Sequence, residues 1–271
     1  MGLNVVSVVE ALSVPILAAF VLAQPRAARG PMLRDALVIG LGAVLGEETC
    51  IAFYRFYAYS PAWSVKAVAV PVMVGCIWPA VVLSARQVVA RLTQHPGRRA
   101  LGVALLVLAD ATLVEAVSVR CGLWAWEEGA VFGVPVIGLV GWSAYAGLAC
   151  AALDRGWPAW ARLLAPAAGT HVVLLAAWWG GLRWGLRAPV AGWVLPWVSA
   201  AAALVATLFL RRHRGAVPLA IMGPRALAAA LFFVLVAWAG ATDGAGWLAV
   251  FVVPFAPPYL WLTSWRAARA G

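Results

Sequence analysis

Charge is the scarcest feature of this sequence. Only 11% of its 271 residues are Asp, Glu, Lys or Arg, where an ordinary soluble domain carries about 25%. That shortage excludes a soluble globular fold, and 65% apolar residues with a mean hydropathy of +0.92 place the chain in a bilayer. Lysine is almost missing: Lys66 is the single one among 20 basic residues, which with 10 acids leave a formal net charge of +10. Elsewhere such a balance would point to nucleic acid. Here there is no basic arm, no zinc-ligand spacing and no soluble stretch long enough to fold into a binding domain. Nucleic acid is therefore not an expected partner, and the arginines read as topology signals.

Cysteine is sparse as well. Cys50, Cys76, Cys121 and Cys150 lie scattered in apolar surroundings with no Cys-x-x-Cys and no Cys/His cluster, so no metal site is expected. Buried free thiols are favoured over a Cys50–Cys121 bridge. Also missing are Gly-x-Ser-x-Gly, a Walker loop, a dinucleotide fingerprint and the His-rich box of di-iron desaturases. Nucleotide, flavin and iron chemistry are thus disfavoured, and no cofactor is expected. The N-terminus has no basic n-region, and its first apolar run carries Glu10 and Pro15, so it reads as a retained span rather than a signal peptide.

What remains is about nine apolar stretches, each near the roughly 17–25 residues a membrane crossing needs. They fall at 4–23, 36–53, 67–85, 101–119, 134–152, 163–181, 189–210, 226–242 and 246–264. Backbone polar groups must be satisfied internally in hydrocarbon, and no barrel-like alternation is present, so the expected fold is an all-α polytopic bundle of eight or nine spans. No convincing internal repeat is visible, and the chain reads as one domain. Arginines gather in alternate connections: Arg26, Arg29 and Arg34; Arg86, Arg91, Arg98 and Arg99; Arg155 and Arg162; Arg211, Arg212, Arg214 and Arg225; Arg266 and Arg269. The opposite side has Arg55, Lys66, Arg120, Arg183 and Arg187. Counting by the positive-inside rule puts the N-terminus outside and the C-terminus in the cytoplasm.

Two outer loops stand out, Tyr54-Arg55-Phe56-Tyr57-Ala58-Tyr59-Ser60-Pro61-Ala62-Trp63 and Cys121-Gly122-Leu123-Trp124-Ala125-Trp126-Glu127-Glu128-Gly129. An interfacial aromatic belt is the plain reading of both. Against it stands the position of the acids. Glu10, Glu47, Glu48, Asp110 and Glu115 fall inside expected spans, where each charge costs at least about 2.5–3.5 kcal/mol. Glu10, Glu48 and Glu115 share a depth about two turns below the outer end, as an outward polar pocket would require. Asp110 and His171 lie nearer the midplane.

Each of these residues also has an ordinary structural reading. Glu10 can reach solvent from the chain start, His171 can be a core histidine bonded to a carbonyl, and Arg120 can anchor the interface or face Glu115. Glu47 and Glu48 are about 100° apart around their helix, so they are not expected to share a cavity, and Glu48 is preferred. Asp110 and Glu115 are about 140° apart and are not expected to form a simple dyad. Carboxyl groups held neutral by low dielectric can donate protons, and aromatic faces stabilise cations. This combination suits protonation of an isoprenoid double bond to a tertiary carbocation.

At this point the sequence resembles the carotenoid-biosynthesis membrane protein family, of bisanhydrobacterioruberin hydratase type. The residues that carry the likeness are Gly122-Leu123-Trp124-Ala125-Trp126, then Phe132-Gly133-Val134-Pro135, then Gly141-Trp142. Glu48, Tyr57, Tyr59 and the stretch from Val70-Pro71 to Trp78 match a second block, and Asp110 and Glu115 fall where the family has an acidic pair. The likeness covers roughly residues 45–145. The chain departs from the pattern in having Gly138 where Asn is usual and Ala116 where Pro is frequent.

The resemblance implies a membrane-embedded enzyme that hydrates a terminal C=C of an acyclic C40 or C50 carotenoid, in a bacterial cytoplasmic membrane. Glu115 or Asp110 would be the general acid and Glu48 the group handling water. Tyr57, Tyr59, Trp78, Trp124, Trp126, Trp142 and His171 would contact the substrate. The expected partners are a lipophilic isoprenoid and membrane lipid. Rival readings are a terpene cyclase using the same proton donor, a proton-coupled carrier, and a scaffold.

Overall fold

The computed structural model describes residues 4–129, 131–182, 194–243 and 246–264. Its long apolar runs are helices, because a helix satisfies every backbone amide within its own segment and hydrocarbon offers no other partner. In chain order these are α1 (Val5–Leu22), α2 (Arg26–Tyr54), α3 (Val74–Ala90), α4 (Pro96–Arg120), α5 (Val136–Asp154) and α6 (Ala159–Ala177, continued by a π turn over Trp178–Leu182). They are followed by α7 (Val194–Leu210), α8 (Leu219–Asp243), α9 (Gly246–Val252) and α10 (Pro257–Trp261). The fold is an all-α bundle.

Six of the described helices are long and apolar enough to cross a membrane: α1, α2, α4, α5, α6 with its extension, and α8. Three apolar helical stretches are shorter, α3, 197–206 and 246–255. The molecule is a membrane protein, and large apolar side chains such as Leu37, Leu41, Leu101 and Leu105 stud its exterior. Of the nine stretches expected from hydropathy, 67–85 enters its helix only at Val74 and 246–264 is broken into two short helices, a 3-10 turn and a strand, so the long helices account for six of the expected eight or nine spans. Residues 189–193 of the seventh, with Arg183, Arg187, Arg266 and Arg269, lie outside the described residues.

Helix α3 runs through the middle, packed against α1, α2, α4, α5 and α8. Its buried face includes Trp78, Val82, Leu83, Ser84, Ala85 and Val88. The contact with α2 is unusually close. Pro79 has no N–H to offer the Gly75 carbonyl one turn earlier, and a Cβ built on Gly40 would lie 2.3 Å from that oxygen. Only glycine at 40 lets the α2 backbone meet it.

At the arginine-rich end, Asp154 bridges Arg86 (2.7 Å) and Arg99 (3.1 Å), and Asp35 pairs with Arg162 at 2.7 Å. These pairs pin α3, α4 and α5 to one another and α2 to α6. A short parallel pair, Val217–Pro218 with Thr263–Ser264, joins the segments after α7 and α10. The four cysteines are free thiols.

Candidate active site

At the opposite end, α2 and α4 finish in the two aromatic loops. Gly122 takes a left-handed conformation (φ 69°) directly after α4, a turn that favours glycine, and Arg55 does the same after α2 (φ 53°). Each chain then runs as a three-residue strand, Tyr57–Tyr59 and Trp124–Trp126, and the two pair antiparallel with Tyr57 opposite Trp126 and Tyr59 opposite Trp124. Side chains alternate across a strand. Ala58 and Ala125 are therefore exposed while the four aromatics share the inner face. Ring centroids of the facing pairs are 4.6 Å (Tyr57–Trp126) and 5.7 Å (Tyr59–Trp124) apart. Trp63 fastens the loops further by donating its indole N–H to the Leu123 carbonyl at 2.9 Å.

The motif that follows has a similarly local cause. Val131 and Val134 exchange both backbone hydrogen bonds at 3.0 Å around Phe132 (φ 51°) and Gly133 (φ 84°), the geometry of a two-residue turn with both central residues left-handed. Pro135 then starts α5, which carries Gly141-Trp142 toward the loops.

Beneath this aromatic cover lies a cavity. Two carboxyl groups line it, each held by three aromatic donors. Glu115, 2% exposed, accepts the indole N–H groups of Trp124 (2.8 Å) and Trp126 (2.9 Å) on Oε2 and of Trp142 (2.6 Å) on Oε1. Glu47 accepts the hydroxyls of Tyr59 and Tyr57 (3.3 Å) on Oε2 and the indole N–H of Trp78 on Oε1 at 2.5 Å. The Trp78 and Trp142 rings, 4.5 Å apart, join the two sets. Burial, the largest cause, holds both the Tyr57 and Tyr59 phenols well above their ordinary range, so they stay neutral.

The structure thus brings together Glu115, Tyr57, Tyr59, Trp78, Trp124, Trp126 and Trp142. It places Glu48, Glu10, Asp110 and His171 elsewhere. Glu48 points to the loop before α3 and accepts the backbone N–H groups of Val68 (2.9 Å), Ala69 (3.0 Å) and Val70 (2.9 Å). Glu10 caps the same loop through Ser64 N and Oγ, both at 2.7 Å. Asp110 pairs with Arg225 and Tyr259 in a second cavity. His171 joins α6 to α2, bonded to Thr49 Oγ1 through Nε2 (2.8 Å) and to the Tyr54 hydroxyl through Nδ1 (2.9 Å).

Sequence reasoning passed over Glu47. The cavity face of α2 is Ala43, Gly46, Glu47 and Cys50, a run of small residues at helical spacing with one acid in it, and this is the signal that separates Glu47 from its neighbour. Tyr145, whose hydroxyl bonds the Ile39 carbonyl at 2.7 Å beneath Trp78, carried no such mark.

Gly138 has a clear task here. A Cβ at this position would lie 2.6 Å from Trp126 Cζ2, so the missing side chain is what admits the indole that reaches Glu115. Gly138→Ala is expected to lower stability by about 1–3 kcal/mol and to push Trp126 off Glu115. Gly141→Ala, whose Cβ would meet Leu174 at an ordinary 3.5 Å, serves as the control. Thermal unfolding and tryptophan fluorescence of the two variants would check this, and equal behaviour would contradict it.

The fold and this cavity define a polytopic helical membrane protein with a buried carboxyl and aromatic site. The family model described as carotenoid biosynthesis protein matches residues 3–210, and the chain belongs to that family. No curated protein and no solved structure matches it.

Proposed function

We propose that this carotenoid-biosynthesis protein hydrates a terminal C=C of an acyclic C40 or C50 carotenoid in the cavity between Glu47 and Glu115. The observation that carries this reading is the different chemistry of the two carboxyl environments. Indole is a donor only. Glu115, surrounded by three such donors, is matched as a carboxylate, because protonation would leave an O–H with no acceptor among them. The hydroxyl partners of Glu47 both donate and accept, so Glu47 is the group able to carry a proton.

In this mechanism Glu47 gives its proton to the less substituted carbon of the double bond and the π pair forms the new C–H bond. The adjacent carbon becomes a tertiary cation, stabilised by the Trp78, Trp124 and Trp142 faces and by the Glu115 charge. Water adds to the cation, and its surplus proton goes to Glu115. Return of that proton to Glu47 closes the cycle, with one water consumed. His171, Asp110 and Glu48 have no part in these steps. The arginine distribution further supports an orientation with the N-terminus outside.

The test is expression in cells that make acyclic carotenoids, with mass spectrometry of the pigments. The expected product gains the mass of one water per modified end. An isomeric product would mean ring closure by the same acid, and unchanged pigments with the protein present in the membrane would overturn catalysis.

A further inference from the structure

A second cavity adjoins the first, and Glu47, Tyr59, Trp78, Trp124 and Trp142 line both. From this shared wall it runs down between α1, α3, α4 and α8, flanked by Val9 to Ile16 of α1 and by Pro224 to Phe232 of α8, about 10–12 Å of helix. Its walls are mainly hydrocarbon, and Ser13, which also lines it, turns its hydroxyl to the Val9 carbonyl at 2.6 Å. At the deep end stand the Asp110–Arg225 pair and the Tyr259 hydroxyl, polar surface that a polyene gains nothing by covering.

An acyclic C40 chain is far longer than this space, so one end reaches the carboxyl groups while the rest has to leave the protein between helices. The seam between α2 and α6 borders the first cavity and is shut. In its deeper half the backbones meet so closely that a Cβ on Gly42 would lie 2.7 Å from the Leu163 carbonyl oxygen. Toward the outer end His171 of α6 bonds both Thr49 and Tyr54 of α2, and the Phe56 ring packs on Trp178 with centroids 5.8 Å apart.

The seam between α1 and α8 borders the second cavity and is built differently. Leu12, Ile16, Ala228 and Leu231 line the cavity and are each half-exposed, so the side chains that wall it also face the bilayer. None of the four carries a polar atom beyond its backbone, and any contact among them is dispersion only. Pro15 beside Ile16 and Pro224 in the cavity wall each remove one hydrogen bond from their helix, which makes both helices easier to bend here.

We infer that the seam between α1 and α8 is a lateral mouth, through which an isoprenoid chain passes from the bilayer along the second cavity to Glu47. This inference rests on the isoprenoid reading of the first cavity and adds the route to it. The reacting end lies beside the two carboxyl groups, the next stretch of chain lies against α1 and α8, and the far end stays in lipid.

The test places a diazirine amino acid singly at position 12, 231, 172 or 175 of the full-length protein, in cells that accumulate an acyclic carotenoid. The membranes are irradiated and the purified protein is weighed by mass spectrometry. Val172 and Leu175 are exposed on α6 and report ordinary contact with pigment dissolved in the bilayer. An adduct of one carotenoid mass is expected at least about tenfold more often at positions 12 and 231, the ratio that roughly two buried CH₂ contacts provide. Equal labelling of the two pairs, or more on α6, would overturn the mouth. Ala228→Trp, which fills the seam, is expected to lower product per folded protein by about the same factor, and Val172→Trp to leave it unchanged. Full product from Ala228→Trp would also overturn the mouth. The proposed reaction is scored apart, on the unaltered protein: no hydrated product together with preferential labelling at 12 and 231 would overturn the reaction and leave the route, and hydrated product without that labelling would do the reverse.

Discussion

Glu47→Gln is expected to lower product formation by roughly 10²–10⁴-fold, the contribution of a positioned general acid, while leaving the protein folded. Glutamine can keep its carbonyl oxygen for the Trp78 N–H and turn its amide N–H₂ to the Tyr57 and Tyr59 hydroxyls, which can also accept, but it has no proton of suitable acidity. The neighbouring substitution Glu48→Gln tests the assignment by contrast. Glu48 holds the backbone at 68–70, so its loss is expected to cost about 1–3 kcal/mol of stability with turnover of the folded fraction unchanged. Product yield normalised to folded protein distinguishes the two. Loss of activity in Glu48→Gln with full activity in Glu47→Gln would reverse the roles.

Glu115→Leu is expected to damage both stability and chemistry. It removes the acceptor shared by Trp124, Trp126 and Trp142 and strands three buried N–H groups at about 1–3 kcal/mol each. Destabilisation of at least roughly 3 kcal/mol follows, read as a fall in unfolding temperature in detergent, together with loss of product. Glu115→Gln returns an acceptor oxygen but sets an amide N–H₂ among donors, so it is expected to be more stable than the leucine variant and still inactive. A leucine variant as stable as the unaltered protein would show that the indole bonds contribute little.

The helices were legible because a bilayer imposes a simple rule: length and apolarity decide, and residues 5–22 or 96–120 satisfy it on their own. The aromatic loops were legible as compositions but not as a structure. Tyr57–Tyr59 and Trp124–Trp126 are three-residue strands whose partners lie far apart in the chain, and nothing local announces such pairing. Which of Glu47 and Glu48 faces the cavity depends on the rotation of α2, which a depth argument does not read. Arg225 shows the same limit. By count it belongs with the arginines of one membrane face, whereas in the structure it reaches inward across 115 residues of sequence to Asp110. Long-range polar contacts of this kind leave no periodic trace in hydropathy.

The most direct measurement is the reaction of an acyclic carotenoid with membranes containing the protein in heavy water. Protonation of carbon by Glu47 predicts one non-exchangeable deuterium beside each new hydroxyl, and no labelled product from Glu47→Gln. A hydroxylated product without carbon-bound deuterium, or one formed at full yield by Glu47→Gln, would contradict it.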